Sequence, residues 1–471
     1  MEGNGTAAEE AGGGLLGKAL QQAEAWYYQG ATILWYAYPL VVLAWTLYDG
    51  AVARGRGEPI GWRTALCPCC KRRGGDGKAD KLGQKQGPHA AGATTAEGPA
   101  AATGVSESPP GWFCNRLTPL AAGARVLRYA AVLLVLAFRL VTYSLMFAPW
   151  FVQIGYAYFH DPRIRRRIRY GAEARNYVDL YFPADVLAAL ERGDSAKVPV
   201  VVTVMGGAWM IGHRLWNVLL GMRLSQAGVL VVGVDYRNYP FAEMHEMAED
   251  VGRALDWVFA NIAGYGGDPK SIALIGQSAG AHLEAMVLLQ RCMAEARGEA
   301  SSSGWSPKDL KGFFGVSGAY DLVALGPHLT SRGIFNALPH LCAGGDLRRH
   351  SPVQLLATPE WRAVAAEAAA KLPPVHLYAG ELDQSVPAAT SAAFAHALRC
   401  AGAECVTFAV GQGIRHAEPV VEDPLTGGDL QIELMLPILP KEVGAKLKTL
   451  KPPYPQVPKM LARLALRVMP F

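Results

Sequence analysis

The sequence has no marked excess of charge of either sign. Its 45 Lys and Arg residues stand against 40 Asp and Glu residues, so the formal net charge is only +5. Two local clusters of basic residues contribute most of the net positive charge, and no continuous basic face is expected. Nucleic acid is therefore not expected as a partner, because such partners require a basic surface.

Cysteine is present but forms no disulfide framework. Of the eight Cys residues, Cys67, Cys69 and Cys70 are crowded together, and the others are scattered without regular spacing. This excludes a disulfide-stabilised secreted scaffold, and most thiols are expected to be reduced. The crowded group precedes a short basic run, a pattern compatible with S-palmitoylation, with metal binding or with no function at all.

A secretory signal is also missing. Residues 1–25 form a mildly acidic tail rich in Gly and Ala, without a basic n-region or a small-residue cleavage site. Residues 26–49 are different, because positions 27–48 carry no charge and aromatic side chains lie near both ends. At ~1.5 Å per residue this stretch crosses a ~30 Å hydrocarbon core, which predicts a transmembrane helix; the alternative is a buried core helix.

The basic residues 50–117 show no hydrophobic periodicity and are predicted to form a disordered loop. A second apolar stretch, residues 129–159, contains Arg139, which costs roughly 2.5–3.5 kcal/mol near the bilayer centre. We expect a membrane span in which Arg139 is paired or snorkels, or else an interfacial helix, with the span favoured. Two full spans would place the catalytic domain in the lumen, whereas the basic clusters on both sides of residues 129–159 favour the cytoplasm and can both lie there only if this stretch does not cross. The prediction is a cytoplasm-facing catalytic domain on the endoplasmic reticulum or Golgi membrane.

Residues 163–471 are predicted to form the catalytic domain. Short β-branched runs alternate there with helical stretches, a pattern typical of an α/β fold with a mostly parallel sheet and helices on both faces. The predicted strands are 177–182, 198–204, 228–234, 272–275, 312–316, 375–378 and 405–410. Helical spacing is found over residues 243–263 and 279–294. No internal repeat is visible.

The pentapeptide Gly-Gln-Ser-Ala-Gly contains the candidate nucleophile, Ser278. It follows an apolar strand and precedes an apolar helix, which is the context of a nucleophile elbow in an α/β-hydrolase. Such a hydroxyl needs a base and a carboxylate that follow it in the chain in the order acid, then His. Asp383 and His416 follow the last two predicted strands and fit this order. Glu381 is the rival acid.

Three other histidines are less suitable as the base, because they do not fit the chain order of nucleophile, acid and then His. They are His213, His245 and His282. No metal and no organic cofactor are expected, because a Ser-His-Asp triad needs neither.

Main-chain donors are expected to stabilise the anionic intermediate. The Gly-rich loop after strand 198–204 is suited to presenting N–H groups. The predicted oxyanion hole consists of the amides of Gly207, Ala208 and Ala279. Gly206 is expected to be the turn residue, and Trp209 to support the loop.

The motifs MGGAWMIGH, DYRNYP, GGDP, GQSAGAH, GVSGAYDL, GELDQSVP and HAEP resemble those of the plant-type isoprenylcysteine methylesterases, in the hormone-sensitive-lipase-like branch of the α/β-hydrolases. The resemblance covers residues 163–433 and implies membrane segments ahead of an α/β-hydrolase domain. It also implies a substrate, the methyl ester of a prenylated cysteine, free or at the C-terminus of a prenylated protein.

The chain departs from this pattern at Met205, where the branch has His, and at Ala208, where it has Gly. The acyl pocket is therefore less predictable than the reaction. The alternatives are an esterase or lipase-like hydrolase for other apolar esters and, from a different class, an inactive binding protein on the same scaffold. The oligomeric state cannot be inferred from the sequence.

Overall fold

The computed structural model describes residues 127, 131–132, 134–299, 304–332 and 337–469. The predicted tail 1–25, transmembrane helix 26–49 and basic loop 50–117 lie outside these residues. The described chain is built on an eight-stranded sheet with the order β1-β2-β4-β3-β5-β6-β7-β8. The strands are β1 Ile164–Arg169, β2 Tyr177–Tyr181, β3 Val198–Val204, β4 Leu230–Val234, β5 Gly267–Gln277, β6 Phe313–Val316, β7 Val375–Gly380 and β8 Val406–Gly411.

The sheet is mostly parallel, as predicted. Strands β3 to β8 run in one direction, and β2 is antiparallel to both β1 and β4. Seven strands coincide with the predicted runs within a few residues. β1 was not predicted, because four of its six residues are Arg and the run was interpreted as a basic cluster. Charge is typical of an edge strand, since it discourages further pairing.

Helices cover both faces of the sheet, and successive strand residues point to opposite faces. Val200 and Val202 lie in one apolar core, whereas Val201 lies in the other. The helices are α1 Leu134–Met146, α2 Ala148–His160, α3 Ala184–Glu191, α4 Val218–Gln226, α5 Met244–Asn261, α6 Ala279–Ala296, α7 Leu322–Ser331, α8 Ala337–Cys342, α9 Pro352–Leu355, α10 Pro359–Arg362, α11 Ala365–Ala369, α12 Ala388–Cys400, α13 Glu422–Leu425, α14 Leu430–Met435, α15 Lys441–Thr449 and α16 Lys459–Val468.

The apolar stretch 129–159 forms two helices rather than a continuous one. α1 and α2 are bent by 71° at Phe147, and Pro149 begins the second helix. Among the described residues no single helix is long and apolar enough to cross a membrane, although this bent pair passes the same criteria when taken together. Arg139 is paired: its Nε donates to the carbonyl of Val468 at 2.9 Å and its Nη2 to that of Met469 at 2.9 Å.

The basic run after α2 is incorporated into the fold. The Arg166 guanidinium lies 5.5 Å from the ring centroid of Tyr158, and Arg165 lies 5.0 Å from that of Phe182. The Arg167 amide donates to Asp179 at 2.8 Å. These arginines therefore belong to an edge strand and its neighbours rather than to a free juxtamembrane tail.

Candidate active site

Ser278 lies on a sharp turn between β5 and α6. Its φ of 53° and ψ of −121° are rare for a residue with a side chain, and such strain is found at functional turns. Gly280 permits the turn, because a Cβ there would collide with the carbonyl oxygen of Val204. The strand-turn-helix context predicted for Ser278 is therefore present.

The structure brings Ser278, His416 and Asp383 together. Ser278 Oγ lies 3.0 Å from His416 Nε2, and His416 Nδ1 lies 2.8 Å from Asp383 Oδ2. All three side chains are buried. Since an ionised carboxylate only accepts hydrogen bonds, the proton of a neutral His416 resides on Nδ1. Nε2 is then free to accept the proton of the serine hydroxyl.

The turn after β7 holds Asp383 in position. The amides of Ser385 and Val386 donate to Asp383 Oδ1 at 2.9 and 2.8 Å. The rival acid has a different contact, since Glu381 Oε2 accepts from the Gly413 amide at 2.9 Å. The geometry therefore places Asp383, not Glu381, against the imidazole.

The other histidines have structural contacts. His213 accepts from the Leu215 amide at 3.0 Å and caps a short helical turn, and burial lowers its pKa to about 4. His245 pairs with Glu243 at 3.6 Å on α5. His282 lies on α6, four residues after Ser278, and its ring contacts Trp209 rather than the serine hydroxyl.

The predicted oxyanion loop has an unusual backbone. Gly207, Ala208 and Trp209 have φ values of 131°, 50° and 61°. Gly206 lies against the nucleophile, because a Cβ there would be 2.6 Å from Ser278 Cβ. Within the part of the chain that the structure describes, the amides of Gly207 and Ala208 donate to no other protein atom. The loop thus presents donors next to Ser278.

Ala279 begins α6, so its amide has no partner inside the helix. The positive end of the helix dipole lies at the same place and favours negative charge there. The arrangement supplies a nucleophile, a base oriented by a carboxylate, and three available N–H groups.

Sequence reasoning missed one contact at this site. Gln277 Nε2 lies 3.4 Å from His416 Nε2, and the Gln277 side chain is buried. It occupies a variable position of the G-x-S-x-G motif, so the motif gave no signal for it. Across the described ranges, no group of three or more His, Cys, Asp or Glu side chains is placed to hold a metal ion.

A buried ionic network braces the far end of the oxyanion loop. Arg214 donates to Asp179 at 3.1 Å and to Asp235 at 2.8 Å, while Arg175 pairs with Asp235 and donates to the Gly212 carbonyl at 2.6 Å. Burial alone would raise the pKa of Asp235, but the neighbouring cations lower it. The network ties the end of the loop to β2 and β4.

The fold is of the α/β-hydrolase type, and the two plant relatives described in the next paragraph, both named as methylesterases, show the class: the chain is a carboxylic ester hydrolase. The family model described as BD-FAE matches residues 185–398. Esterase B from Lactobacillus rhamnosis is similar in structure, at 20% identity and a TM-score of 0.47, over 66% of this chain and 96% of that one.

Two plant relatives are more specific. A probable isoprenylcysteine alpha-carbonyl methylesterase of Oryza sativa subsp. japonica is 37% identical over 70% of this chain and 76% of its own length. The isoprenylcysteine alpha-carbonyl methylesterase of Arabidopsis thaliana is 36% identical over the same shares. The chain therefore belongs to the isoprenylcysteine methylesterase family, and the resemblance inferred from its motifs is confirmed.

Proposed function

We propose that this enzyme hydrolyses the methyl ester of a prenylated cysteine, free or at the C-terminus of a prenylated protein, with Ser278, His416 and Asp383 as its catalytic triad. The observation that carries the reaction is the pair of contacts at 3.0 and 2.8 Å that joins the three side chains. The names of the two plant relatives support the substrate.

In the proposed reaction Ser278 Oγ attacks the ester carbonyl carbon while His416 Nε2 takes the hydroxyl proton. The tetrahedral intermediate places its negative oxygen among the amides of Gly207, Ala208 and Ala279. It collapses to an acyl-enzyme as His416 returns the proton to the departing methoxide, which leaves as methanol. A water molecule, deprotonated by His416, then releases the carboxylic acid and restores Ser278.

We further propose that the enzyme acts while docked on a lipid bilayer through α1, α2 and α16. These helices expose large apolar side chains, namely Leu134, Val135, Phe138, Val141, Leu145, Phe151, Val152, Tyr156, Phe159, Met460 and Leu464. The bonds from Arg139 to Val468 and Met469 join α1 to the end of α16. Exposed large apolar side chains that are grouped on neighbouring helices are typical of an interaction site.

Docking on a bilayer would suit a prenylated substrate. A prenyl chain partitions into the bilayer at ~0.8 kcal/mol per buried CH₂. An enzyme held there would meet such a substrate without extracting it into water.

For location, we propose endoplasmic reticulum or Golgi membranes with the site facing the cytoplasm, which the basic loop 50–117 supports if residues 129–159 dock on the bilayer without crossing it. Protease treatment of sealed microsomes tests this proposal. Digestion of the catalytic domain without detergent is expected. Full protection would instead mean that the catalytic domain is lumenal.

The substrate proposal is tested by comparing kcat/KM for farnesylcysteine methyl ester, a short aryl ester and a triglyceride. We expect the prenylated methyl ester to be preferred by at least about tenfold, since its apolar chain adds binding free energy. Equal or faster hydrolysis of the aryl ester would assign a broad esterase, and preference for the triglyceride a lipase. The Ser278→Ala variant is the blank in all three assays.

A further inference from the structure

The oxyanion loop is held in a conformation that its residues do not favour by themselves. Ala208 and Trp209 carry side chains, yet both have positive φ values, 50° and 61°. Such conformations persist only where the surrounding structure over-determines them. Contacts outside the loop must therefore hold these two residues.

The side chain of Trp209 is one such contact. It is buried, and its indole Nε1 donates to His282 Nδ1 at 3.2 Å. The two rings meet edge to face at 89°, with centroids 5.3 Å apart. His282 lies one turn after the nucleophile on α6, where its amide donates to the Ser278 carbonyl at 3.1 Å. The contact thus joins the oxyanion loop directly to the nucleophile helix.

The second nitrogen of His282 is also engaged. Nε2 lies 2.6 Å from the carbonyl oxygen of His350, which can only accept, so Nε2 carries the proton and Nδ1 is the acceptor for Trp209. Burial lowers the pKa of His282 to about 4, although its bond to the His350 carbonyl opposes this. The ring is therefore neutral at physiological pH and keeps one acceptor and one donor.

We propose that His282 is a positioning residue for ester hydrolysis: by accepting the indole hydrogen bond of Trp209, it holds the oxyanion loop against the nucleophile helix. The inference rests on the proposed function, because it requires Gly207 and Ala208 to stabilise the anionic intermediate. His282 touches neither the substrate nor the reacting atoms. Its effect should appear in the transition state rather than in substrate binding.

Two substitutions test this proposal. Trp209→Phe keeps an aromatic ring but removes the indole donor, and His282→Leu keeps a similar volume but removes the acceptor. Each should lower kcat about 10- to 100-fold, below the loss of a whole oxyanion donor, with KM within about twofold. Affinity for a trifluoromethyl ketone, which forms an anionic adduct with the serine, should fall in parallel. The double variant should be no worse than the single variants, since both remove one interaction.

The controls separate positioning from stability. Leu289→Ala, in a buried part of the same helix further from Ser278, should lower the melting temperature but leave kcat unchanged. His376→Asn, at a half-exposed His on β7, should match wild type. His282→Asn retains an acceptor near the Nδ1 position and should recover part of the lost kcat. If His282→Leu does not fold, Trp209→Phe decides the outcome.

The outcomes are distinguishable. A fully active Ser278→Ala enzyme would overturn the proposed function and this inference together. If Ser278→Ala is inactive but folded Trp209→Phe keeps wild-type kcat and ketone affinity, only the role of His282 is overturned. A change in KM alone, with wild-type kcat, in Trp209→Phe or His282→Leu would likewise overturn the role of His282.

Discussion

The catalytic centre and the outer face of α1, α2 and α16 differ in which kind of side chain they expose to solvent. At the centre, polar side chains are withdrawn from water: Ser278, His416 and Asp383 are 8%, 9% and 6% exposed. On the outer face, apolar side chains are left in solvent, and Phe138 and Met460 are 72% and 84% exposed. A buried polar group requires internal hydrogen-bond partners, which the centre supplies. The exposed apolar side chains are the basis of the bilayer contact proposed above.

The two regions are joined through the inner side of α1. The Tyr143 hydroxyl donates to Glu422 Oε1 at 2.7 Å, and Glu422 follows His416 by six residues. Trp150 of α2 donates to the Gln456 carbonyl at 2.9 Å, ahead of α16. The two regions are therefore linked by hydrogen bonds. Substitutions can nevertheless change the property of one region without changing that of the other.

The largest expected effect concerns the centre alone. Ser278→Ala should reduce kcat by roughly 10⁶-fold, the scale on which another serine hydrolase responds to loss of its nucleophile. Binding to phospholipid vesicles should stay at the wild-type level, because the outer face is untouched. Steady-state kinetics and vesicle sedimentation measure the two properties. A folded variant that keeps a tenth of its activity would disprove the assignment of the nucleophile.

Asp383→Asn should reduce kcat about 10⁴-fold, since the amide stabilises the wrong tautomer of His416. Glu381→Gln is the matched control two positions earlier, with the same change of charge, and should remain within a few-fold of wild type. Kinetics of both variants on one ester decide the acid. The opposite ranking would transfer that role to Glu381.

Ala208→Pro should reduce kcat by at least about 10²- to 10³-fold, because it removes a main-chain donor from the proposed oxyanion hole and cannot adopt the φ of 50° found at this position. Ala208→Gly retains the N–H and suits the positive φ, so it should be tolerated. Circular dichroism shows whether each variant is folded. Full activity in folded Ala208→Pro would mean that the hole is built from other donors.

Substitutions on the outer face should weaken vesicle binding and leave catalysis unchanged. Phe138→Glu combined with Leu145→Glu places two charges on the proposed bilayer surface and should weaken vesicle binding tenfold or more, an effect of about 1.4 kcal/mol or above. The kcat for a short soluble ester should stay within about twofold. Arg192→Glu makes the same total charge change at an exposed residue directly after α3 and serves as the control. Unchanged vesicle binding by the double variant would exclude this face as the membrane contact.

The last prediction concerns the link between the regions and affects stability rather than activity. Burial raises the pKa of Glu422 from 4.5 to about 7, while the Tyr143 hydrogen bond opposes the shift. The folded-state pKa of Glu422 lies above its unfolded value. The contribution of the protonated Glu422 to the free energy of unfolding is therefore fully present below pH 4.5 and is lost as the pH rises through about 7.

Glu422→Gln mimics the protonated form and should remove this loss, which amounts to about 3 kcal/mol above pH 8 at roughly 1.4 kcal/mol per pKa unit. Urea denaturation at pH 5 and pH 8.5 measures it, with the exposed Glu360→Gln as control. Equal pH dependence in Glu422→Gln and wild type would assign the transition to another group.

The sequence alone indicated seven of the eight sheet strands and the three residues that meet at the centre. Buried parallel strands leave continuous β-branched runs, and the motif around Ser278, together with the chain order of Asp383 and His416, limits the choice because parallel strands end at one edge. β1 was missed, since an Arg-rich edge strand lacks the apolar pattern of a buried one. The bend at Phe147 was not predicted, because the apolar composition of residues 129–159 does not indicate where the helix axis changes direction.

Tertiary structure alone decided the role of His282 and which arginines are paired. Chain order already indicated His416 as the base, but only the fold places His282 between Trp209 and the His350 carbonyl. Arg139 in the apolar stretch finds its acceptors more than 300 residues away, at the end of α16. Hydrogen-bond partners at such separations are set by packing, and strand or helix periodicity carries no information about them.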